Sequence, residues 1–431
     1  MIVVNYQYHK EDQTMSEFDY RSAVNPTFFT AQQTAFMLAA AGNEDAKKVI
    51  AELGLQNNLQ QNNDRSPQQK AFLSSEEGKA LTTGVIIAIE ARYAAISNAV
   101  KSGGFGNMLD IACGFTPRSV FCRRENIDYV GADVPVVAEQ LGALDKNLLS
   151  GKAHSSYLGV DATNSASLLA AADLMEGEIF ISSEGLMGYF SKDELLQFLG
   201  GIRDVLRKHG GAWFTTDPGV KYDDFATILM KDPDAKAKYE EGRKQTMKAS
   251  NIYNQVSGIE GEALVDFIKA HGFRVEKLPF CQNGDSLSMM NAVPQDMKAK
   301  LYALLDSSAL YKFTLDPDYT VADTIRGASE VENLRIGFTL YDGVLSFTPE
   351  GRIDTISAPS LLKLFEENAP NGAETVMIDA QKLEYISSAG LRVLMMMVKK
   401  LGEGSVTVIN ASSAVKEIFE TTGFDQMIVI K

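Results

Sequence analysis

Cysteine, excess positive charge and long apolar runs are all scarce in this sequence of 431 residues. The three cysteines, Cys113, Cys122 and Cys281, show no metal-ligand spacing and are too few for a disulfide framework, which is typical of a reducing compartment. The net charge of -15 argues against broad binding to nucleic acid or to an anionic membrane, because such binding requires clustered Lys and Arg. We therefore expect no nucleic-acid partner and no membrane partner.

The chain also lacks a run of the roughly 18 apolar residues that a membrane-spanning helix needs. Residues 1–15 have neither the basic flank nor the cleavage pattern of a signal peptide, so we expect an N-terminal tail there and a cytoplasmic location. A hydrophobic content of 45% and a charged content of 23% are ordinary for globular proteins. At about 150 residues per domain, the length predicts two or three cores.

The first large region, residues 16–320, is predicted to be one α/β domain. Its start is helical up to residue 100, and an Asn- and Gln-rich segment at 56–67 is either a solvated loop or a flap over a site. Residues 221–247 are predicted to be a helical lid. Five buried strands alternate with helices between these parts, at residues 108–111, 129–132, 157–160, 179–182 and 212–216. Such alternation is typical of a mostly parallel sheet that binds ligands beyond the carboxyl ends of its strands.

A second, smaller α/β domain is predicted at residues 334–431, after a linker at 321–333 that mixes charged and small residues without apolar periodicity. Its predicted strands lie at 334–341, 344–350, 375–379, 406–410 and 427–430. Its predicted helices lie at 358–368, 389–401 and 413–421.

Acidic residues follow the predicted strands of the larger domain in order. Asp110 ends the first strand and is followed by the small residues of a tight turn that includes Gly114, while Asp133 ends the second strand. The 23 positions between the two acids are close to the spacing of about 20 at which an acid meets a ribose diol in dinucleotide folds. Asp161 and Glu184 follow the third and fourth strands. Any one of them could be a turn or cap residue, but four in this order predict a nucleotide-like site.

These motifs resemble those of the class I S-adenosylmethionine-dependent methyltransferases, and look most like the leucine carboxyl methyltransferase branch. The resemblance covers roughly residues 16–320 and implies a Rossmann-like fold. Four segments carry it: Glu-Ala-Arg-Tyr at 90–93, Leu-Asp-Ile-Ala-Cys-Gly-Phe-Thr-Pro-Arg at 109–118, Glu-Gly-Leu-Met-Gly-Tyr at 184–189, and Trp-Phe-Thr-Thr-Asp-Pro at 213–218.

The resemblance assigns seven residues to the cofactor, S-adenosyl-L-methionine: Arg92, Asp110, Ala112, Gly114, Asp133, Asp161 and Ala162. Arg92 would bind the carboxylate of the cofactor, Asp133 would take the ribose hydroxyls, and Asp161 would face the adenine. A guanidinium forms a two-point bond with a carboxylate, and an acid accepts hydrogen bonds from a diol. Glu184 would border the reacting centre and, with Tyr189, is a candidate catalytic residue.

The methyl acceptor is expected to be a small molecule or protein with a carboxylate or a hydroxyl group. The resembled branch usually has Asp where this chain has Thr116, and a second Arg where it has Glu90, so the acceptor site departs from the branch. A carboxylate acceptor needs no general base, because positioning supplies most of the catalysis. A hydroxyl acceptor would need one, and His154 and His209 are conceivable bases.

In the smaller domain, the segment Tyr-Ile-Ser-Ser-Ala-Gly-Leu at 385–391 follows a strand and opens a helix. One of its two serines is expected to cap the helix and the other to be exposed. Residues 334–431 resemble the STAS domain of anti-sigma factor antagonists, in which a partner kinase that is also the anti-sigma factor phosphorylates a serine just before the helix. Ser388 falls on that position, Asp354 falls on the acid beside it, and Ser387 stands where phosphorylated members have Asp. The resemblance implies docking at Asp354 and Ser387, and a phosphorylation candidate in Ser388.

The sequence as a whole predicts a cytoplasmic S-adenosylmethionine-dependent methyltransferase joined to a STAS domain that docks it to a partner or regulates it. The alternative is a signalling module in a sigma-factor partner switch, whose first domain only binds cofactor or keeps the fold. A nicotinamide-dependent oxidoreductase is disfavoured because the turn lacks a full Gly-x-Gly-x-x-Gly.

Overall fold

The computed structural model describes residues 26–55, 67–144, 152–249, 258–281, 284–322 and 324–431. The predicted N-terminal tail and nearly all of the predicted loop or flap at 56–67 lie outside these residues. Within them the chain forms two sheets, each covered by helices, so the α/β fold class is confirmed.

Seven strands form the sheet of the larger domain: β1 Asn107–Ile111, β2 Asp128–Asp133, β3 Ser155–Gly159, β4 Ile179–Ser183, β5 Gly211–Thr215, β6 Phe273–Pro279 and β7 Ala309–Leu315. Their order across the sheet is β3-β2-β1-β4-β5-β7-β6. Strands β1 to β5 are parallel, and β7 runs antiparallel to both β5 and β6. The order reverses between β1 and β4, and in open α/β sheets the crevice beyond the carboxyl ends at such a reversal is where ligands bind.

Twelve α-helices accompany this sheet among the described residues: α1 Pro26–Ala40, α2 Glu44–Glu52, α3 Pro67–Ser74, α4 Glu76–Ser102, α5 Arg118–Arg124, α6 Pro135–Leu141, α7 Ser165–Ala172, α8 Lys192–His209, α9 Tyr222–Ile228, α10 Pro233–Ala249, α11 Gly261–Ala270 and α12 Gln295–Ser307. By length and composition α4 could cross a membrane, but 67% of its apolar window is buried inside the domain. The Ser75 hydroxyl caps α4 by accepting the N–H of Gly78 over 3.2 Å.

The core of the larger domain is centred on Trp213 of β5, which is fully buried. Its ring lies 4.9 Å from that of Phe313 and 5.6 Å from that of Phe198, measured between centroids. Its indole N–H donates to the Ser183 hydroxyl over 2.9 Å, so its buried polar atom is satisfied. This packing holds α8 against the sheet.

All five strands predicted for the larger domain are present, with bounds that differ by one or two residues. The predicted lid at 221–247 consists of two helices, α9 and α10. The five predicted strands do not include β6 or β7, of which β7 inserts between β5 and β6, and α12 was not predicted either. A strand reached by a long excursion of the chain leaves no local signal of its neighbours, because pairing is set by contacts far apart in sequence.

The smaller domain contains seven strands, β8 Ile325–Val331, β9 Leu334–Tyr341, β10 Val344–Ile353, β11 Thr375–Asp379, β12 Leu383–Ile386, β13 Val406–Ile409 and β14 Val429–Ile430, and three α-helices, α13 Ala358–Asn368, α14 Ser388–Leu401 and α15 Ser413–Thr422. The sheet order is β14-β13-β11-β10-β9-β8, with β12 paired to β10. The side chains of Val376, Ile378, Val406 and Val408 belong to the core formed with the helices.

The segment predicted to be a linker differs from that prediction at residues 325–331, which form β8 at the edge of the sheet and pair antiparallel with β9. Most of its side chains are exposed. An edge strand can be held by backbone hydrogen bonds to one neighbour, so its side chains need not alternate between apolar and polar. Without that alternation, the sequence contains no pattern that predicts the strand.

Candidate functional site

The carboxylate of Asp110, at the end of β1, is buried and fully engaged inside the larger domain. It accepts the hydroxyl of Tyr129 over 3.1 Å and that of Ser182, and it lies 3.2 Å from Nε of Arg118. These partners come from β2, β4 and α5. Asp110 thus ties together the elements around the switch point from a buried position.

The turn after β1 has an unusual backbone. Ala112 has φ of 56° and Gly114 has φ of 52°, both in the left-handed region that favours glycine. A Cβ added to Gly114 would meet its nearest atoms, in Ala31 of α1, at 3.6 Å, which is ordinary contact. The dihedral angle therefore explains the glycine better than space does, and the turn places the buried backbone of Gly114 beside α1 at the carboxyl edge of the sheet.

Asp133, at the end of β2, is joined directly to this turn. One carboxylate oxygen accepts the N–H of Gly114 over 2.7 Å and the other accepts the N–H of Val134 over 2.8 Å. Burial raises the pKa of Asp133 to about 6, although both N–H bonds oppose that change. The carboxylate is held in one orientation by backbone groups, and each oxygen keeps a lone pair for a further donor.

Glu184, just after β4, lies between two guanidinium groups. Nε of Arg92 lies 3.2 Å from one carboxylate oxygen, and Arg118 forms an ion pair with the other. Burial raises the pKa of Glu184, and the charges of Arg118 and then Arg92 oppose this. Arg92 was predicted to bind a ligand carboxylate, and in this structure its partner is the Glu184 carboxylate.

Arg118 was part of the recognised motif but received no role from sequence reasoning. It is 1% exposed, lies 4.7 Å above the ring of Tyr93, and donates to the Ser97 hydroxyl over 3.1 Å. One buried cation thus connects the acid at the end of β1 with the acid that follows β4. An arginine closing a motif of small residues is the signal that could have singled it out.

Asp217, which follows β5, is a second residue that sequence reasoning missed. Its carboxylate accepts the N–H groups of Gly185 over 2.6 Å and of Leu186 and Met187 over 3.0 Å each. It therefore fixes the first half of the loop that carries Glu184 and Tyr189. Tyr189 ends a short 3-10 turn in that loop and is 38% exposed.

Asp161 lies at the same edge of the sheet, just beyond the end of β3, but its carboxylate is engaged locally. It accepts the N–H of Thr163 over 2.9 Å and the Thr163 hydroxyl over 2.6 Å, which forms a turn. Ala162 is partly buried and packs against the core of the domain. Asp161 and Ala162 thus lie at the same edge of the sheet as Asp133. The hydrogen bonds described for the Asp161 carboxylate come from Thr163 and not from the residues around Glu184.

The two departures from the resembled branch have structural explanations. Glu90 accepts the backbone N–H and the hydroxyl of Ser288, each over 2.7 Å, and so caps a short 3-10 helix. Thr116 donates to the Cys113 carbonyl over 3.0 Å, within the turn after β1. Glu90 therefore contributes a long-range contact to the fold, and Thr116 contributes to the local folding of the turn.

The two histidines considered as bases lie away from this site. His154 is exposed and directly precedes β3, and His209 ends α8 just before β5, where it lies 2.9 Å from an Asp173 oxygen. Amino ends of parallel strands lie at the edge of the sheet opposite to the carboxyl ends. The geometry therefore gives neither histidine contact with the acids described here.

In the smaller domain, one of the two serines caps a helix and the other is exposed, as predicted. The Ser387 hydroxyl accepts the N–H of Gly390 over 3.4 Å as the N-cap of α14, and Ser388 is its exposed first residue. The N–H of Ser387 donates to the Ile353 carbonyl over 2.8 Å, which places the end of β10 beside the helix. Asp354 accepts the N–H groups of Ser357 and Ile356, and these bonds lower its pKa.

Comparisons with known proteins give matches in two parts of the chain. The human N-acetylserotonin methyltransferase, solved in complex with S-adenosylmethionine, is 13% identical and aligns with 69% of this chain and 73% of its own, at a TM-score of 0.30. An O-methyltransferase family protein from Burkholderia thailandensis is 9% identical and aligns with 69% of this chain and 75% of its own, at a TM-score of 0.34. The leucine carboxyl methyltransferase branch stays a prediction.

The smaller domain gives a match at the level of sequence. The STAS domain family matches residues 336–431. BtrV of Bordetella bronchiseptica, described as an anti-sigma factor antagonist, is 33% identical over 93 residues, which are 21% of this chain and 80% of that protein. Through this C-terminal domain, the chain belongs to the STAS family and has a relative described as an anti-sigma factor antagonist.

Proposed function

We propose that the larger domain is an S-adenosyl-L-methionine-dependent methyltransferase of the cytoplasm, and that the STAS domain docks it to a partner or regulates it. The observation that carries the proposal is the pairing of Asp133 with Gly114 at the switch point of the parallel sheet. An oriented carboxylate next to a bare backbone turn suits a ribose diol on one side and a compact polar group on the other.

The residues present fit this cofactor in their chemistry. Asp133 would accept the two ribose hydroxyls, the turn through Ala112 and Gly114 would contact the methionine part, and Arg92 would bind its carboxylate. Arg92 would then be shared between the cofactor and Glu184, whose second guanidinium partner, Arg118, is already in place. When bound, S-adenosyl-L-methionine supplies a methyl group on a positively charged sulfur.

The acceptor is proposed to carry a carboxylate or a hydroxyl group, on a small molecule or a protein. Glu184 would border the acceptor, and the exposed ring of Tyr189 would form part of its entrance. Because Glu184 is paired with two cations, its role is to orient groups and to balance charge, while positioning supplies the rate enhancement.

Calorimetric titration with S-adenosyl-L-methionine tests the proposal. We expect saturable binding by the wild type and a loss of about 10- to 100-fold in affinity in Asp133→Ala, since hydrogen bonds to a charged group contribute about 1.5–3 kcal/mol. Asp128→Ala is the matched control, because Asp128 starts the same strand and lies at its opposite end. Absence of saturable binding by the wild type would contradict the proposal.

The second candidate function is a signalling module in which the larger domain only binds cofactor or keeps the fold. The exposed Ser388 at the first position of α14 favours it, because a partner such as an anti-sigma factor-type kinase could reach that hydroxyl. Incubation of the protein with labelled cofactor and cell extract separates the two. If no acceptor is labelled while Ser388→Asp changes which proteins are captured, the signalling function is the better account.

A further inference from the structure

Helix α8 lies between the two domains and meets the STAS domain along one face. Near its carboxyl end, the buried Arg203 forms an ion pair with Asp342, from the turn between β9 and β10. A Cβ on Gly200, one turn earlier, would approach the Asp342 carboxylate to 3.2 Å, so this glycine permits close contact. Gln197, about one further turn back, lies 3.9 Å from the sulfur of Met377 on β11. The spacing of 197, 200 and 203 is that of a single helical face.

The amino end of the same helix contacts the STAS domain through charged and hydroxyl groups. The Lys431 ammonium lies 2.6 Å from the Glu194 carboxylate and 2.8 Å from the Ser191 hydroxyl. The hydroxyl of Thr407, on β13, donates to the Asp193 carboxylate over 2.8 Å. Lys431 is itself placed by its backbone, because its N–H donates to a carbonyl of β13. With Glu374, whose carboxylate lies 3.6 Å from the Lys192 ammonium, three residues of the STAS domain therefore hold the first turn of α8.

That first turn directly follows the loop that carries Glu184 and Tyr189. The first half of the loop is fixed within its own domain, because three of its backbone N–H groups donate to the Asp217 carboxylate. The second half ends at Ser191, where Lys431 binds. A change in the position of the STAS domain would therefore act through Lys431 on Ser191, two residues beyond Tyr189, and through Thr407 on Asp193, four residues beyond it.

We propose that the STAS domain is a positioning element of the candidate methyl-transfer site, acting through Lys431 and Thr407 on the loop between β4 and α8. The inference rests on the proposed function for its consequence, because the loop matters to catalysis only if Glu184 borders the reacting centre. The anchoring itself is independent of cofactor. Lys431 and Thr407 are positioning residues, because they contact the residues of α8 that follow the loop most closely.

Hydrogen exchange of the full-length protein, read by mass spectrometry without cofactor, tests the anchoring. In Lys431→Ala we expect the amides of residues 188–194 to exchange about fivefold faster, as for the loss of one hydrogen bond. Thr407→Val should act in the same direction, while Lys431→Arg and Thr407→Ser should restore rates close to the wild type. Lys399→Ala is the control, because Lys399 is an exposed lysine on α14, away from α8.

Unchanged exchange at 188–194 in both Lys431→Ala and Thr407→Val would overturn the inference. A rise of equal size in all strands of the protein would also overturn it, because that pattern reports global loss of stability. Binding of S-adenosyl-L-methionine by the wild type is measured separately. If the wild type binds no cofactor but the exchange follows the expected pattern, the proposed function fails while the anchoring of the loop stands.

Discussion

The backbone N–H of Gly114 donates to the carboxylate of Asp133 over 2.7 Å, which joins the turn after β1 to the end of β2. Because this carboxylate is held by backbone groups on both oxygens, its protonation state controls what a ligand meets at this edge of the sheet. Each of the two residues therefore gives a prediction.

Cofactor affinity should depend on pH through Asp133, whose pKa burial raises to about 6. The ionised carboxylate accepts the ribose hydroxyls, so affinity should be constant above about pH 7 and fall below pH 6, by at most tenfold per pH unit for one group. Calorimetry between pH 5 and 8 measures this. Asp133→Asn should bind more weakly with little slope over the same range, and a slope equal to that of the wild type would assign the titration to another group.

The raised pKa of Asp133 should make the stability of the protein change with pH in the opposite direction to its cofactor affinity. Since folding disfavours the ionised form of Asp133, this carboxyl should contribute added stability as pH falls from 7 through 6 towards its ordinary value near 4. Urea unfolding of wild type and Asp133→Asn across that range isolates the contribution. The free energy of unfolding of the wild type minus that of Asp133→Asn should rise on acidification, and a value that falls would show that other interactions of Asp133 decide its effect.

Gly114→Ala should separate a backbone requirement from a ligand requirement. The left-handed φ costs an alanine about 1–2 kcal/mol, while the space around the Cβ is sufficient. Gly404, with φ of 71° and no atom within 4 Å of an added Cβ, is the matched control in the other domain. We expect similar losses of stability in both alanine variants, and weakened cofactor binding only in Gly114→Ala. Equal affinities of the wild type and Gly114→Ala for the cofactor would mean that the turn does not approach it.

Replacement of Arg118 should be far more damaging than replacement of a surface arginine. Arg118→Met leaves the buried carboxylates of Asp110 and Glu184 without their shared cation, which costs about 3–5 kcal/mol in such networks. Arg124→Met removes an ion pair with Asp45 from an arginine side chain that is 57% exposed, and should cost less than about 1 kcal/mol. The free energies of unfolding in urea compare the two. Similar values would show that the Arg118 network contributes no more than a surface pair.

The neighbouring serines of the STAS domain should respond differently to alanine. Ser387→Ala removes the cap of α14 and should cost about 1 kcal/mol, whereas Ser388→Ala removes an exposed hydroxyl and should leave the free energy of unfolding within about 0.5 kcal/mol of the wild type. Thermal unfolding measures both. A larger cost for Ser388→Ala would assign the capping role to that serine and remove it as a phosphorylation candidate.

Sequence reasoning identified the residues that lie at strand ends, because acids after apolar runs are a local pattern. It placed Asp110 and Asp133 at neighbouring strand ends, and the sheet brings them there. It did not detect that Arg118 pairs with Glu184, 66 positions away, or that Asp217 holds the loop after β4. Such pairs depend on the order of strands in the sheet, which one sequence does not specify.

For the same reason, the contacts between the two domains could not be predicted from the sequence. Lys431 and Ser191 are 240 positions apart, and neither stands in a pattern that indicates a partner. The edge strand β8 was missed for a related reason, since its backbone pairs with β9 while most of its side chains are exposed.

The alternation of side chains along β11 and β13 has a further consequence. Val376 and Val408 point to the helices that include α14, while Met377 and Thr407 point to α8, so Ser388 and the domain contact lie on opposite sides of one sheet. A partner protein could therefore contact the Ser388 side without displacing the larger domain. One face of the STAS sheet is therefore occupied by the contact with α8, and the other carries the helix whose exposed first residue is Ser388.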